Sequence, residues 1–140
     1  MLNEKREIVT LLPKPPIKKS NRIAAYCRVS SQQDEQLHSL AAQVTYYENL
    51  LSRADDYEFA GIYADTGISG TRTKNRAQFL QLIEDCRTGK VDGIITKSVS
   101  RFGRNTVDTL VFTRELRNLG VDVFFEKENL HSCSLEGEFL

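Results

Sequence analysis

Nine side chains of this sequence are of types that can act on phosphorus, and they fall in three short segments. "RVSS" holds Arg28, Ser30 and Ser31, "TRTKNR" holds Arg72 and Arg76, and "KSVSRFGRN" holds Ser98, Ser100, Arg101 and Arg104. A guanidinium is planar, permanently charged and forked, so it meets two phosphate oxygens at once. Several such forks stabilise the charge that a transferring phosphoryl group spreads over its oxygens, without a metal. Their field also favours ionisation of a nearby serine hydroxyl, which makes it a usable nucleophile. Singly, arginines more often form surface salt bridges and serines cap turns. The clustering argues for phosphoryl chemistry.

Other chemistries lack their parts. His38 falls within a helical pattern and reads as a partly exposed surface residue, while His131 is distant in sequence, so a Ser–His–Asp triad has no base. Neither GxSxG nor GxxxxGK[ST] occurs, and "TGISGT" matches no nucleotide fingerprint. No His/Cys or paired-carboxylate cluster has metal-ligand spacing, and Asp65 alone cannot hold Mg²⁺. No metal or cofactor is expected.

Strands and helices must bring these segments together. Ile23 to Val29, 58 to 64 ("EFAGIYA"), 91 to 97 ("VDGIITK") and 121 to 126 ("VDVFFE") read as strands. Between them, Leu37, Leu40, Ala41, Val44, Tyr47 and Leu51 recur at helical spacing in a helix from Glu35 to about Arg53. A second helix runs from about Arg76 to Thr88, burying Phe79, Leu82, Ile83 and Cys86 before Gly89. A third opens at an Asn105 N-cap with Asp108 three residues on, reaches about Asn118 and ends at Gly120. This alternation predicts an α/β fold: a mostly parallel sheet of four to five strands flanked by helices. Such sheets bind ligands at the carboxyl ends of their strands, which selects the loops 30–34, 65–75 and 98–105. Within the first of these strands, alternation sends Tyr26, Arg28 and Ser30 to one face and Ala25, Cys27 and Val29 to the other.

Composition bounds the rest. The 140 residues suit one domain, 40% apolar and 27% charged. No apolar run is long enough to span a bilayer, and no secretory signal pattern opens the chain, so a cytoplasmic location is expected. Zero formal net charge argues against a wholly basic nucleic-acid binder, but 97–104 and 71–76 each carry three positive and no negative residues. Local basic sites in a balanced domain suit one bound phosphate group. Cys27 and Cys86 read as reduced core residues, and Cys133 completes an odd number. Residues 1–21, with Pro13, Pro15 and Pro16 among lysines, read as a disordered or extended basic leader, and 22–135 as the folded domain. The leader could touch a DNA backbone weakly. The end, "SLEGEFL", reads as the first turn of a further, truncated helix over 136–140.

Taken together, "YCRVSS", "YADTGISGT" with a following "NR", and "KSVSRFGRN" resemble, in order and spacing, the catalytic domain of serine site-specific recombinases, the resolvase/invertase family. The resemblance spans about 22–140, and is nearest to the large transposase and integrase types. It implies that Ser30 attacks a DNA phosphodiester, forms a 5′-phosphoserine link and releases a 3′-hydroxyl. Arg28 would bind the scissile phosphate and activate the serine, with Tyr26 close to the active site. Arg101 and Arg104 would hold the phosphate and assist the leaving group, Arg76 would be the phosphate-binding arginine that opens the helix after the mobile loop, and Asp65 would be that loop's acidic residue; Arg72 is expected to add a phosphate contact on the basic clustering alone. Neither ATP nor metal is implied. The implied partner is DNA, acted on by homodimers that pair into a tetramer. Two departures stand out. Asp34 occupies the place where the family usually has glutamine, with Gln33 and Gln36 nearby, which implies a short insertion. The chain also stops at Leu140, where the family continues into a dimer-forming helix, so this stretch alone is expected to recombine poorly and to be monomeric or weakly associated. The alternatives are a non-catalytic assembly or regulatory module of the same fold, against which the intact Ser30, Arg28, Arg101 and Arg104 argue, and an unrelated phosphate-binding α/β protein.

Overall fold

The first apolar run forms the strand it predicts, and that strand is central. In the computed structural model, which describes residues 21–66 and 76–135, β1 (Arg22–Val29) has four consecutive buried residues from Ala24 to Cys27. A strand covered on both faces loses polar alternation and belongs inside a parallel sheet. β1 pairs in parallel with β2 (Glu58–Thr66) on one side and β3 (Gly93–Thr96) on the other. β4 (Asp122–Phe125) follows β3 in parallel, and the two-residue β5 (Leu130–His131) pairs antiparallel with β4. The sheet order is β2-β1-β3-β4-β5, the mostly parallel α/β sheet expected. A bulge lets Ile23 face Phe59 while Ala24 faces Gly61, and Gly61 takes φ 123°, a conformation glycine adopts without strain. The shifted register brings Arg28 level with Asp65 at the carboxyl ends of both strands.

Among the described residues, five α-helices cover the sheet: α1 (Gln32–Leu37), α2 (Leu40–Ser52), α3 (Ala77–Arg87), α4 (Val99–Phe102) and α5 (Thr106–Asn118). The single helix expected from Glu35 to Arg53 is thus two. Ser39 breaks it: its hydroxyl accepts the Ala42 N–H at 3.2 Å and starts a new helix. The break turns Leu37 outward, 69% exposed, and leaves Ala41 exposed as well, against the expected buried face. Gln43, Tyr47 and Leu51, spaced four apart, form the buried face of α2. Asn105 caps α5 as expected, accepting the Asp108 N–H at 2.9 Å.

The sheet divides two cores. Ala25, Cys27 and Ile95 pack with Tyr47 and Leu51 of α2. On the other face, Ala24 and Tyr26 meet Phe79, Leu82, Ile83 and Cys86 of α3, with Leu116 of α5. Burial pushes the Cys27 and Cys86 thiols up to about 12, as inert core cysteines. An edge-to-face aromatic series crosses this second core: Tyr26–Phe79 at 5.3 Å, Phe79–Phe102 at 5.1 Å and Phe102–Phe125 at 5.7 Å. Phe102 belongs to α4, a single helical turn where a loop was expected. Its complete burial contributes about 1.5–3 kcal/mol, and it fixes the neighbouring Arg101 to the core.

Candidate active site

The carboxyl ends of β1 and β3 carry Ser30 and α4, and Arg101 joins them. Gly103 lets α4 lie against α5, because a Cβ there would collide with Thr109 Oγ1. Arg28 and Arg101 then clasp each other. Arg28 donates from Nε to the Arg101 carbonyl (3.0 Å) and from Nη2 to the Ser100 carbonyl (2.6 Å), while Arg101 Nη1 donates to the Arg28 carbonyl at 2.8 Å. Gln43 donates to the same Arg28 carbonyl at 3.3 Å, tying α2 to the end of β1. Burial lowers the Arg28 pKa; Tyr26 opposes that, and the neighbouring Arg76 and Arg101 add to it.

Asp34 sits in the middle. Arg101 holds it with both arms of its fork, Nη1 to Oδ2 at 2.6 Å and Nη2 to Oδ1 at 3.0 Å. The Ser30 N–H donates to Oδ2 at 2.8 Å, and the Ser30 hydroxyl reaches the same oxygen at 3.3 Å. His38 Nδ1 lies 3.3 Å from Oδ1. Ser31 is spent otherwise: its hydroxyl accepts the Asp34 N–H at 3.0 Å and caps α1. The Ser98 and Ser100 hydroxyls pair with each other at 3.1 Å.

A second group lies deeper. Arg76 is buried, donating to Asp108 Oδ2 at 2.8 Å and to the Phe102 carbonyl, with its guanidinium carbon 3.7 Å from the Phe79 ring centre. Asp108 also accepts the Arg104 N–H at 3.0 Å, while the Arg104 guanidinium is exposed and 3.9 Å from Asp108 Oδ1. Asp65 caps α3, accepting the Gln78 and Phe79 N–H groups at 3.0 Å each and the Tyr26 hydroxyl at 2.8 Å. Burial, then the Asp65 contact, raises the Tyr26 phenol well above its ordinary pKa.

Of the nine phosphorus-directed residues, the structure therefore gathers Arg28, Ser30, Ser31, Ser98, Ser100 and Arg101 at one edge. Arg76 turns inward and Arg104 outward around Asp108. Arg72 and most of the loop expected to be mobile, along with residues 1–20 of the leader and the last five residues, lie outside the described residues. Two central members went unassigned in the sequence. Asp34 stood there only as a departure in the glutamine position, although its i+4 distance from Ser30 is the spacing that returns a side chain to the start of a helix. Asp108 was read as a capping partner alone, and its pairing with Arg76 carries no local signal. Gln33 and Gln36 are exposed on α1.

The family model described as resolvase, N-terminal domain, matches residues 23–140. The chain belongs to the resolvase family. Among solved structures, this resolvase-family domain is similar to a resolvase family site-specific recombinase from Streptococcus pneumoniae, with 30% identity, a TM-score of 0.67, and coverage of 81% of this chain and 76% of that one. It shares its fold with the N-terminal catalytic domain of TP901-1 integrase, at 23% identity and TM-score 0.62, covering 84% and 86% of the two chains. The C-terminal catalytic domain of ISC1926 TnpA, an IS607-like serine recombinase, has the same fold at 23% identity and TM-score 0.59, covering 75% and 70%. A comparison with curated proteins returned no significant match. Among the described residues, no helix of the resolvase domain is long and apolar enough to cross a membrane.

The Asp34 clamp has a measurable signature. Its hydrogen bonds with Arg101 hold the carboxyl down to about 2, against an ordinary value near 4. A depressed folded-state pKa stabilises the fold fully above the unfolded value, and that contribution is lost as pH falls through about 2. Denaturant melts between about pH 5 and pH 2 should show this loss, and Asp34→Asn should flatten that part of the profile. An identical slope in the variant would place the acid sensitivity elsewhere.

Proposed function

We propose that this domain cleaves and rejoins DNA through a 5′-phosphoserine intermediate at Ser30. One observation supports the reading above the others. The Ser30 hydroxyl and the Arg101 fork converge on the same oxygen, Asp34 Oδ2. A phosphodiester's two non-bridging oxygens offer Arg101 the same paired acceptors as a carboxylate. A phosphate held there has its phosphorus within reach of Ser30 Oγ. Attack forms the Oγ–P bond and breaks the bond from phosphorus to the 3′-oxygen; the proton leaving Oγ is balanced by one gained at the 3′-hydroxyl. The diester energy stays in the phosphoserine, so rejoining runs the same step backwards without ATP. Arg101 contributes positive charge where the transition state gathers negative charge. Arg28 supports it from beneath, and Arg104 is exposed on the same loop to meet DNA. The partner is duplex DNA, with paired dimers bringing two sites together.

A suicide duplex carrying the protein's recombination site, nicked so that the cleaved strand cannot religate, tests this. Tryptic digestion after Arg28 releases a peptide starting at Val29, and fragmentation should place the nucleotide on Ser30. A nucleotide on Ser31, Ser98 or Ser100, or no adduct at all, would overturn the assignment.

A further inference from the structure

The donors of the site are already occupied by an anion, and that anion belongs to the chain. Both arms of the Arg101 fork, the Ser30 N–H and the Ser30 hydroxyl all point at the Asp34 carboxylate. One fork cannot grip a carboxylate and a phosphate with the same two arms. Arg28 turns the Nε and Nη2 edge of its fork to backbone carbonyls, so that edge is already engaged. The element carrying Asp34 is loosely held: α1 is six residues long and buries none of them. It ends at the His38–Ser39 break, where the backbone leaves helical geometry before α2 restarts. Arg101, by contrast, adjoins the fully buried Phe102. When a competing anion arrives, α1 is the side that can yield.

We propose that Asp34 is a specificity-determining residue that fills the phosphate clamp of Ser30 and Arg101 in the free protein, and that a DNA phosphate engages the site by displacing it. This rests on the reading of Ser30 and Arg101 as the phosphate-engaging pair. An internal carboxylate competes at high effective concentration, so dilute free phosphates lose to it. A phosphodiester fixed over the site by the rest of a bound duplex is equally local and can win. Asp34 thereby keeps the nucleophile and its arginine from engaging phosphates that arrive without a duplex.

The opposite role, a fixed brace that stays on Arg101 while phosphate binds, predicts the opposite sign for one substitution. Dimethyl phosphate, a diester monoanion, serves as the probe, titrated against sodium chloride of equal ionic strength. Binding is followed by NMR at the Arg101 Nε–H and the Ser30 amide. Asp34→Asn keeps the side-chain shape and removes its charge; Asp34→Ser, checked by the same spectrum for native dispersion, guards against a folding defect in the first variant. Displacement predicts at least about tenfold tighter probe binding in both variants than in wild type, lost again when Arg101→Ala is added. Unchanged or weaker binding, with a clear wild-type response at Arg101, would overturn the displacement and leave the phosphate reading standing. No response at Arg101 in any protein would overturn both.

Discussion

Ser30→Ala is expected to reduce covalent protein–DNA adduct on a suicide duplex to background, while the adjacent Ser31→Ala continues to form it. The two serines have the same chemistry and differ only in placement. Ser31 adopts extended backbone at the start of α1, and its oxygen is committed to the Asp34 N–H at 3.0 Å. Removing that cap costs about 0.5–2 kcal/mol of helix stability. The effect falls on α1, so Ser31→Ala should lower the yield through looser placement of Asp34 without abolishing it. The Ser30 hydroxyl is exposed and its recorded contact is the oxygen that Arg101 also holds. Among the described residues, the Ser98 and Ser100 hydroxyls are bonded to each other instead. Denaturing gels of both variants, alongside their melting curves, make the comparison. Wild-type adduct from Ser30→Ala would remove Ser30 as nucleophile.

Asp108→Ala is expected to destabilise the domain by about 3–5 kcal/mol, the loss found when one member of a buried ion pair is removed. The pair qualifies as buried, with the Arg76 and Asp108 side chains 8% and 12% exposed. Without the carboxylate, a guanidinium is left inside the fold with the Phe102 carbonyl and the Phe79 face as its remaining recorded partners. Asp108 also accepts the Arg104 N–H, so α5 loses part of its first-turn bonding at the same time. Urea unfolding at neutral pH measures the difference, and a loss below about 1 kcal/mol would mean that water reaches the pair. Arg76→Met with Asp108→Leu should recover much of the loss, because burying two apolar side chains in place of an ion pair is often neutral. For Arg76 to touch DNA phosphate, as the family resemblance implies, it must first leave these three partners.

The strands were legible in the sequence because each centres on a short run rich in apolar residues between polar or turn segments, and all four of those runs formed, with β1 and β3 the most fully buried. Helix ends were legible where a side chain makes the boundary, as at Asn105. The division of the first helix was not, because a single serine cap at Ser39 competes with a continuous apolar periodicity on either side of it. In the site, Arg28, Ser30 and Arg101 could be grouped from the strand-end rule alone. What that rule does not encode is pairing across the fold. The sequence offers Arg76 and Arg104 as equals of Arg101, and only Asp108, with Phe79 and the Phe102 carbonyl, turns one inward and leaves the other in solvent. Asp34 was visible but without a role, since nothing local shows that Arg101, 67 positions away, would close on it.

Phe102 has a consequence for how variation in this domain will be felt. It is at once a member of the aromatic series through Phe79 and Phe125 and the immediate neighbour of Arg101. The interior and the chemistry therefore share a hinge pin. Substitutions at Phe79 or Phe125, neither of which makes the hydrogen bonds joining Ser30, Asp34 and Arg101, are expected to tilt α4 and misaim its arginine. Drift in the interior of such a domain is constrained by aim as well as by packing, so its core tolerates less change than its stability alone would allow.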